Sequence, residues 1–178
     1  MSFINLSLNA QPPSQPRGPA VLLATFNRPN DTAPYAIGDV ISASTGSADT
    51  IIFTNPGMVG KVWTASLVYA HTIGADFDLL LFDGNPSGFA DNAALALSSP
   101  NDEAKLVGSF RFPSANKINI GSNLELYRTV GPLGEMHTGP FSFGAGPVGG
   151  LFGLVRVNTV FTPAANTRMT IRLHVERD

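Results

Sequence analysis

The stretch Met169-Thr-Ile-Arg-Leu-His-Val-Glu176 decides the fold class, because apolar and polar residues alternate through it. In an extended chain its apolar side chains point one way and its polar side chains the other: Ile171, Leu173 and Val175 against Arg172, His174 and Glu176. Such alternation is typical of a strand with one buried and one exposed face. Residues 169–176 are therefore predicted to form the last strand of a sheet.

Eight further short runs of β-forming residues precede this strand, separated by stretches rich in turn residues. They cover residues 21–26, 39–42, 50–53, 61–70, 77–82, 106–112, 124–130 and 151–160. Within the run 61–70, one face is expected to carry Trp63, Ala65, Leu67 and Tyr69. Short strands at this even spacing are typical of a β-sandwich or jelly roll. The prediction is an all-β, jelly-roll-like β-sandwich of about eight to nine short strands.

Composition agrees with a chain that is rich in turns and poor in helix. The 178 residues include 18 Gly and 14 Pro, whereas Lys and Glu number only 3 and 4. The length suits one domain, placed at residues 21–178. Helical evidence is confined to residues 91–97, where three alanines follow Asp91 and a helix of one or two turns capped by Asp91 is expected.

Charge and cysteine content exclude several classes of protein. With 11 Lys+Arg against 13 Asp+Glu, the chain lacks the basic excess of a nucleic-acid binder. It has no cysteine, hence no disulfide and no thiol nucleophile. Only 13% of residues are charged, against about 25% in an average soluble domain, which suggests a surface covered by other subunits. Neither a signal peptide nor a membrane segment is expected, so synthesis in the cytoplasm is predicted.

Residues 1–20 form a proline-rich N-terminal segment. Four prolines (Pro12, Pro13, Pro16 and Pro19) oppose helix and favour extended chain. The segment is either a flexible tail or an arm that becomes ordered across a neighbouring subunit. In the second case its candidate interface residues are Phe3, Ile4, Leu6, Leu8 and Arg17.

Residues 131–150 are expected to form a long structureless loop, since they include seven Gly and three Pro. Four of their side chains would be exposed on a free monomer and are further candidate interface residues: Met136, His137, Phe141 and Phe143. Alternatively, the two phenylalanines cover one open end of the sandwich.

Two motifs with chemical meaning are weak in this context. The spacing Gly144-x-Gly146-x-x-Gly149 matches a dinucleotide-binding fingerprint, but that mechanism needs a following helix and residues 151–160 are predicted to be a strand. Residues 83–91 place oxygen donors at positions 1, 3, 5 and 9, as a Ca²⁺-binding loop does. A plain turn between strands has the same composition, and it is the favoured interpretation.

No catalytic constellation emerges. Asp76 and Asp78 could be paired acids, but sugar-stacking aromatics are few, and solvent-facing positions on a strand are expected. The three histidines (His71, His137 and His174) are isolated in sequence and lack the spacing of metal ligands. The chain is therefore predicted not to be an enzyme and to have no metal, cofactor or catalytic residues.

Several stretches together resemble a known family. They are the sequences YAIGDVIS at residues 35–42, FDLLLF at 77–82, ADNAA at 90–94 and LVGSF at 106–110, together with Pro86, residues 162–164 and the strand 171–175. Across residues 33–178 the chain resembles the capsid cement or decoration proteins of tailed bacteriophages. This resemblance implies a β-sandwich fold and a place on the exterior of the virion, with no catalytic residues to carry over.

The resulting hypothesis is a virion structural protein that binds the assembled capsid shell and stabilises joints between major capsid protein subunits. Its expected partners are the major capsid protein and further copies of itself, as a homodimer or homotrimer. Neither nucleic acid nor membrane is expected as a partner. Alternatives are a collar, head spike or fibre base, and, less favoured, a carbohydrate-binding module.

Overall fold

Two antiparallel sheets form a sandwich in the computed structural model, which describes residues 18–46, 49–54, 59–97, 100–129, 141–143 and 150–177. The strands are β1 (Pro19–Asn27), β2 (Val40–Ile41), β3 (Ile51–Thr54), β4 (Gly60–Tyr69), β5 (Phe77–Phe82), β6 (Leu106–Phe112), β7 (Ile118–Gly121), β8 (Leu124–Arg128), β9 (Phe141–Phe143), β10 (Gly150–Val157) and β11 (Arg168–Arg177). One short helix, α1 (Pro100–Lys105), precedes β6, and a 3-10 turn spans Ser114–Asn116. The predicted all-β sandwich is confirmed.

The strand order is that of a jelly roll. The six-stranded sheet runs β1-β11-β4-β8-β7, with β9 also paired to β4, and the five-stranded sheet runs β2-β10-β5-β6, with β3 also paired to β10. Both β2 and β3 are antiparallel to β10 and follow one another along it, so they act as one strand interrupted by residues 42–50. The chain crosses repeatedly between the two sheets, as it does in double-sheet jelly rolls.

The main core lies between the inner faces of the two sheets. The last strand contributes Ile171, Leu173 and Val175, all buried, and its polar residues Arg172, His174 and Glu176 are exposed. Opposite them, β5 contributes Phe77, Leu79 and Leu81, which are fully buried. The period-two pattern of these strands therefore places the core as the sequence predicts.

A second hydrophobic cluster lies on the outer side of the five-stranded sheet. It consists of Val40, Phe82, Phe152 and Leu154, and the side chains of Leu80, Phe89, Leu95 and Leu97 pack against it. Three of these residues belong to residues 83–97, which we call the cover segment. On this side β5 contributes Leu80 and Phe82, so β5 packs against apolar residues on both of its faces.

The sequence predicts one helix, at residues 91–97 of the cover segment, and that prediction is wrong. Residues 91–97 form a turn with Asn92 at a φ of 61° and a bridge between Asp39 and Ala94. Leu95 and Leu97 pack on the outer cluster, and the Asp91 carboxylate bonds to residues far along the chain instead of capping a helix. The helix that does form starts at Pro100, a residue that suits the first helical turn.

Nine predicted strands are present, and two were missed. The missed strands are β7, whose four residues are all exposed, and β9 inside the glycine-rich stretch. The prediction of a structureless loop across residues 131–150 is wrong for Phe141–Phe143, because they pair with Gly60–Val62 of β4. The sandwich also begins at Pro19, slightly before the predicted domain boundary.

Candidate interaction surface

The buried carboxylate of Asp91 is committed to structure. Its Oδ2 accepts a 2.7 Å hydrogen bond from Arg28 Nη2, and its Oδ1 accepts bonds from the Tyr35 hydroxyl at 2.6 Å and the Ser42 amide at 2.9 Å. Arg28 also donates through Nε to the Tyr35 oxygen. Burial and the hydrogen bond to Asp91 raise the pKa of Tyr35 far above its ordinary value. The hydroxyl therefore stays protonated, and the cluster ties the cover segment to the end of β1.

A second buried carboxylate, Glu125, is likewise saturated with donors. Lys117 Nζ forms an ion pair with Oε1, while Oε2 accepts from the Tyr127 hydroxyl at 2.6 Å and from the amides of Ile73 and Gly74 at 3.2 Å each. Burial alone would raise the pKa of Glu125, but these hydrogen bonds outweigh it and hold the pKa below its ordinary value. A carboxylate in this state stabilises the fold and is a poor general acid or base.

The two neighbouring acids Asp76, just before β5, and Asp78, within it, also have structural partners. Asp78 bonds Arg156 at 2.6 Å across the sheet and is only 9% exposed, so the expectation that it faces solvent is wrong. Asp76 accepts the Ser114 amide at 2.7 Å and lies 3.4 Å from Arg111. Because each carboxylate has its own cation, the two do not form an acid–base pair.

The calcium-like loop at residues 83–91 has no cation cage. The Asn85 carbonyl accepts a 2.7 Å bond from Lys105 Nζ, which brings a positive charge to the loop. Asp91, its ninth position, points to Arg28 instead. Within the described part of the chain, no group of three or more His, Cys, Asp or Glu residues is placed to share a metal ion.

The outer face of the six-stranded sheet differs from these interior sites because the described chain leaves it bare. We call this surface the outer face. Its large apolar side chains are 45–57% exposed and belong to Val21, Leu23, Trp63, Ile118 and Ile120. They come from the edge strands β1 and β7 and from β4 between them. An exposed apolar surface of this kind on a rigid sheet is typical of an interaction site.

Trp63 reaches the outer face because β4 has a bulge. Thr64 pairs with His174 and Val62 with Val175, which leaves Trp63 as an extra residue between two registers. The alternation reverses at that point, so the prediction that Trp63 shares the buried face of Ala65 is wrong. The Trp63 indole, 51% exposed, donates a 3.0 Å hydrogen bond to Glu176 Oε2.

Two shallow hollows flank His174 on the outer face. The first, about 450 Å³, is lined by Pro19, Ala20, Val21, Trp63 and Glu176, among others. The second, about 470 Å³, lies between Arg128 and Arg172, whose strands both pair with β4 at Ser66. One hollow is apolar and the other is cationic, so the surface can distinguish partners by charge as well as by shape.

Positive charge is concentrated on the outer face, although the whole chain has a slight net negative charge. At the outward positions of its described strands, one carboxylate, Glu176, stands among the cations Lys61, Arg128, Arg168 and Arg172. The described residues provide no ion pair for the three arginines, whereas Arg28, Arg111 and Arg156 each have an aspartate. Unpaired guanidinium groups beside exposed apolar side chains suit a partner surface that carries carboxylates.

A separate groove of about 400 Å³ runs between β1 of one sheet and β3 of the other. Leu23, Ala24, Thr25 and Phe26 line one side, and the residues after β2 and in β3 line the other. The groove lies where edge strands of the two sheets come together, β1 from one sheet and β2 and β3 from the other.

Most of the predicted interface residues cannot be compared with these surfaces. Seven of them lie outside the described residues: Phe3, Ile4, Leu6, Leu8, Arg17, Met136 and His137. Phe141 and Phe143 are placed at the backbone level in β9, beside the first residues of β4. Sequence reasoning missed the outer face, because the bulge at Trp63 left no sign in the alternation of β4.

Comparisons with known proteins leave the family open. A scan against protein-family models finds no match for this chain, and a search of curated proteins finds none either. In the described residues, no helix has the length and apolar content that crossing a membrane requires.

Proposed function

We propose that this chain is a virion structural protein that attaches to the exterior of an assembled tailed-phage capsid and strengthens joints between major capsid protein subunits. The observation that carries the proposal is the outer face, where apolar side chains are exposed and three arginines have no ion pair with a described residue. The sequence resemblance to cement proteins supplies the identity of the partner. The described clusters of acids and bases are all committed to structural bonds, which favours adhesion over catalysis.

The mechanism requires only binding. If the outer face fits the mature lattice and not the immature one, attachment stabilises the mature lattice by linkage. Each contact can be modest, because a closed lattice presents many equivalent sites. The exposed Trp63 beside Val21 would supply the apolar anchor, since buried tryptophan and arginine dominate the energy of most interfaces.

The test is cosedimentation of the purified protein with mature shells of the phage that encodes it, after those shells have been stripped of the protein. The double variant Arg128→Glu/Arg172→Glu should reduce binding by about tenfold or more, because it places carboxylates where cations face the partner. Its matched control is Glu103→Lys in α1, an exposed charge reversal away from the outer face. Equal loss in both variants, or no loss in either, contradicts the proposed docking face.

Copy number separates the proposal from a collar, head spike or fibre base. A cement protein has a fixed and high stoichiometry with the major capsid protein, whereas the alternatives occupy one vertex or the tail junction. Quantitative mass spectrometry of purified particles measures this ratio. A few copies per particle would contradict the proposed cement function and favour the alternatives.

The exposed side chain of Trp63 also favours a second candidate function, that of a carbohydrate-binding module. An exposed indole beside His174 and Glu176 could stack on a sugar ring and offer hydrogen-bonding groups to its hydroxyls. A glycan array with the full chain tests this second function, with Trp63→Ala as the control. Specific hits that disappear in the variant would favour glycan recognition over attachment to capsid protein.

A further inference from the structure

The first strand presents an open hydrogen-bonding edge. Arg28 N donates to Thr167 O and Arg177 N donates to Gly18 O, so the even-numbered residues of β1 face β11. In an antiparallel ladder the intervening residues point their N–H and C=O groups the other way. For β1 these are Val21, Leu23 and Thr25, and the described residues place no strand beside them.

This edge lacks the features that usually protect an edge strand. The nine residues of β1, PAVLLATFN, contain no charge, and their register with β11 is uninterrupted. Natural sheets block such edges with lysines, bulges or a covering segment, because an open edge is a template for another strand. Only Pro19, at the very start, lacks an amide that could pair.

The groove beside this edge is shaped for one more strand. Its inner side is formed by Ala24 with Ile41 and Ile51, and its rim carries the exposed side chains of Leu23 and Ile52. The inward-facing positions of β1 include the small residues Ala20 and Ala24. A strand lying here would therefore send alternate side chains toward the core and the others to solvent.

The chain itself contains a segment with that pattern. In the sequence Ile-Asn-Leu-Ser-Leu at residues 4–8, Ile4, Leu6 and Leu8 share one parity while Asn5 and Ser7 share the other. Seventeen residues precede Gly18, the residue just before β1. The residues in between contain Pro12, Pro13 and Pro16, which favour a stiff, extended linker of about 3.1 Å per residue. If the linker is extended in this way, we expect the segment to reach a neighbour's groove in preference to its own.

We propose that residues 4–8 of one copy bind in the β1–β3 groove of a second copy as an added strand along the open edge of β1. Leu6 and its same-parity neighbours face Ala24 and Ile41, and Asn5 and Ser7 face solvent. Backbone hydrogen bonds to Val21, Leu23 and Thr25 supply the pairing, as in other cases of β-strand addition. This exchange links copies to one another and does not depend on what the outer face binds.

Engineered cysteines test the exchange directly, because the native chain has none. A full-length Ser7→Cys preparation is mixed with a second preparation that carries Thr25→Cys and a size tag. In a parallel mixture Asn5→Cys replaces Ser7→Cys, which tests an alternative register. Adjacent strands place Cα atoms within disulfide range. The mixed disulfide should form about tenfold or more faster than with the control Thr64→Cys, an equally exposed threonine on β4.

Each other outcome of this experiment overturns the proposal. If the mixed disulfide forms no faster than it does with the Thr64→Cys control, the cysteines meet only by random collision. A disulfide formed only within one chain in a Ser7→Cys/Thr25→Cys double variant shows that the segment fills its own groove. Thr25→Cys alone dimerising as fast as the mixture shows that two β1 edges pair with each other instead.

Hydrogen exchange supplies a second readout that does not depend on the register. The amides of Val21, Leu23 and Thr25 should exchange about tenfold or more slowly in the full chain than in a variant lacking residues 2–9. Adding a synthetic peptide of residues 2–9 to that variant should restore protection. Amides that are equally fast in both forms would refute the added strand, and a cooperative melting transition of the variant shows that it remains folded.

Discussion

The outer sides of the two sheets differ in how far their apolar side chains are exposed. The five-stranded sheet is covered by the chain's own residues 83–97, which seal Phe82, Phe152 and Leu154 in a second cluster. The outer face of the six-stranded sheet carries Trp63 and Leu23 with more than half of each side chain exposed. The basic residues differ in the same way, since Arg156 and Arg111 have aspartate partners and Arg172 has none among the described residues.

This contrast separates structure from interaction. Burying apolar side chains stabilises a domain by about 25 cal/mol per Å², and the apolar side chains that are exposed on the outer face do not add this stabilisation. The outer face, where these side chains lie beside arginines with no ion pair to a described residue, is therefore the part of the molecule to test for binding. The covered side is the part to test for stability.

The largest expected effect is on the covered side, at Asp91. Asp91→Ala leaves Arg28 buried without its main counter-ion and should lower the free energy of unfolding by about 3–5 kcal/mol. Urea denaturation measures the change. Asp31→Ala removes the partly exposed second carboxylate near Arg28 and should cost about 1 kcal/mol or less; similar losses in both variants would show that Asp91 does not anchor the cover segment.

The second cluster provides the next test of the contrast. Phe82→Ala should destabilise the chain by about 3–5 kcal/mol, because it opens a cavity beneath the cover segment. Leu23→Ala, a truncation on the outer face, should change stability by about 0.5 kcal/mol or less. Thermal or chemical unfolding of both variants decides the point, and equal costs would mean that the two sides are not different.

Glu125 adds a pH dependence with a defined sign. Its pKa is held below the ordinary value of 4.5, so its contribution to stability is complete above that pH and disappears as the pH falls through the lower, folded value. Glu125→Gln should cost about 1–3 kcal/mol at neutral pH and flatten the acid side of the stability profile. Urea midpoints measured from pH 7 to pH 2 test this, and parallel profiles for the two proteins would contradict it.

The smallest expected effect on stability is at Arg172 of the outer face. Arg172→Glu should change the unfolding free energy by about 0.5 kcal/mol or less, since the side chain is exposed and has no ion pair with a described residue. Differential scanning calorimetry measures this. A drop of several degrees in melting temperature would mean that the arginine supports the fold instead of facing a partner.

How far the sequence predicted the fold can be seen strand by strand. The run with the strongest alternation, residues 169–176, was placed correctly because a half-buried strand requires that period. The strand β7 was missed because all four of its residues are exposed, which leaves no alternation to detect. The helix predicted from Asp91 failed because a distant arginine, Arg28, claims the carboxylate that would have capped it.

The candidate surface was less predictable than the fold. Trp63 looked like a core residue, and only the bulge opposite His174 and Val175 turns it outward. That Arg172 has no ion pair with a described residue also depends on which strands lie beside β11. Neither fact is written in a local pattern, because both follow from pairing between strands that are far apart in the chain.

The sequence by itself determined that this protein is turn-rich and all-β, because short alternating runs bury their apolar sides by packing sheet faces together. Only the tertiary structure decided which sheet the described residues cover on its outer side and which they leave exposed. Residues 83–97 can lie over either sheet on composition alone, and long-range contacts such as Arg28–Asp91 fix them to the five-stranded one. Local patterns encode the period of a strand, whereas its neighbours are chosen by the packing of the whole chain.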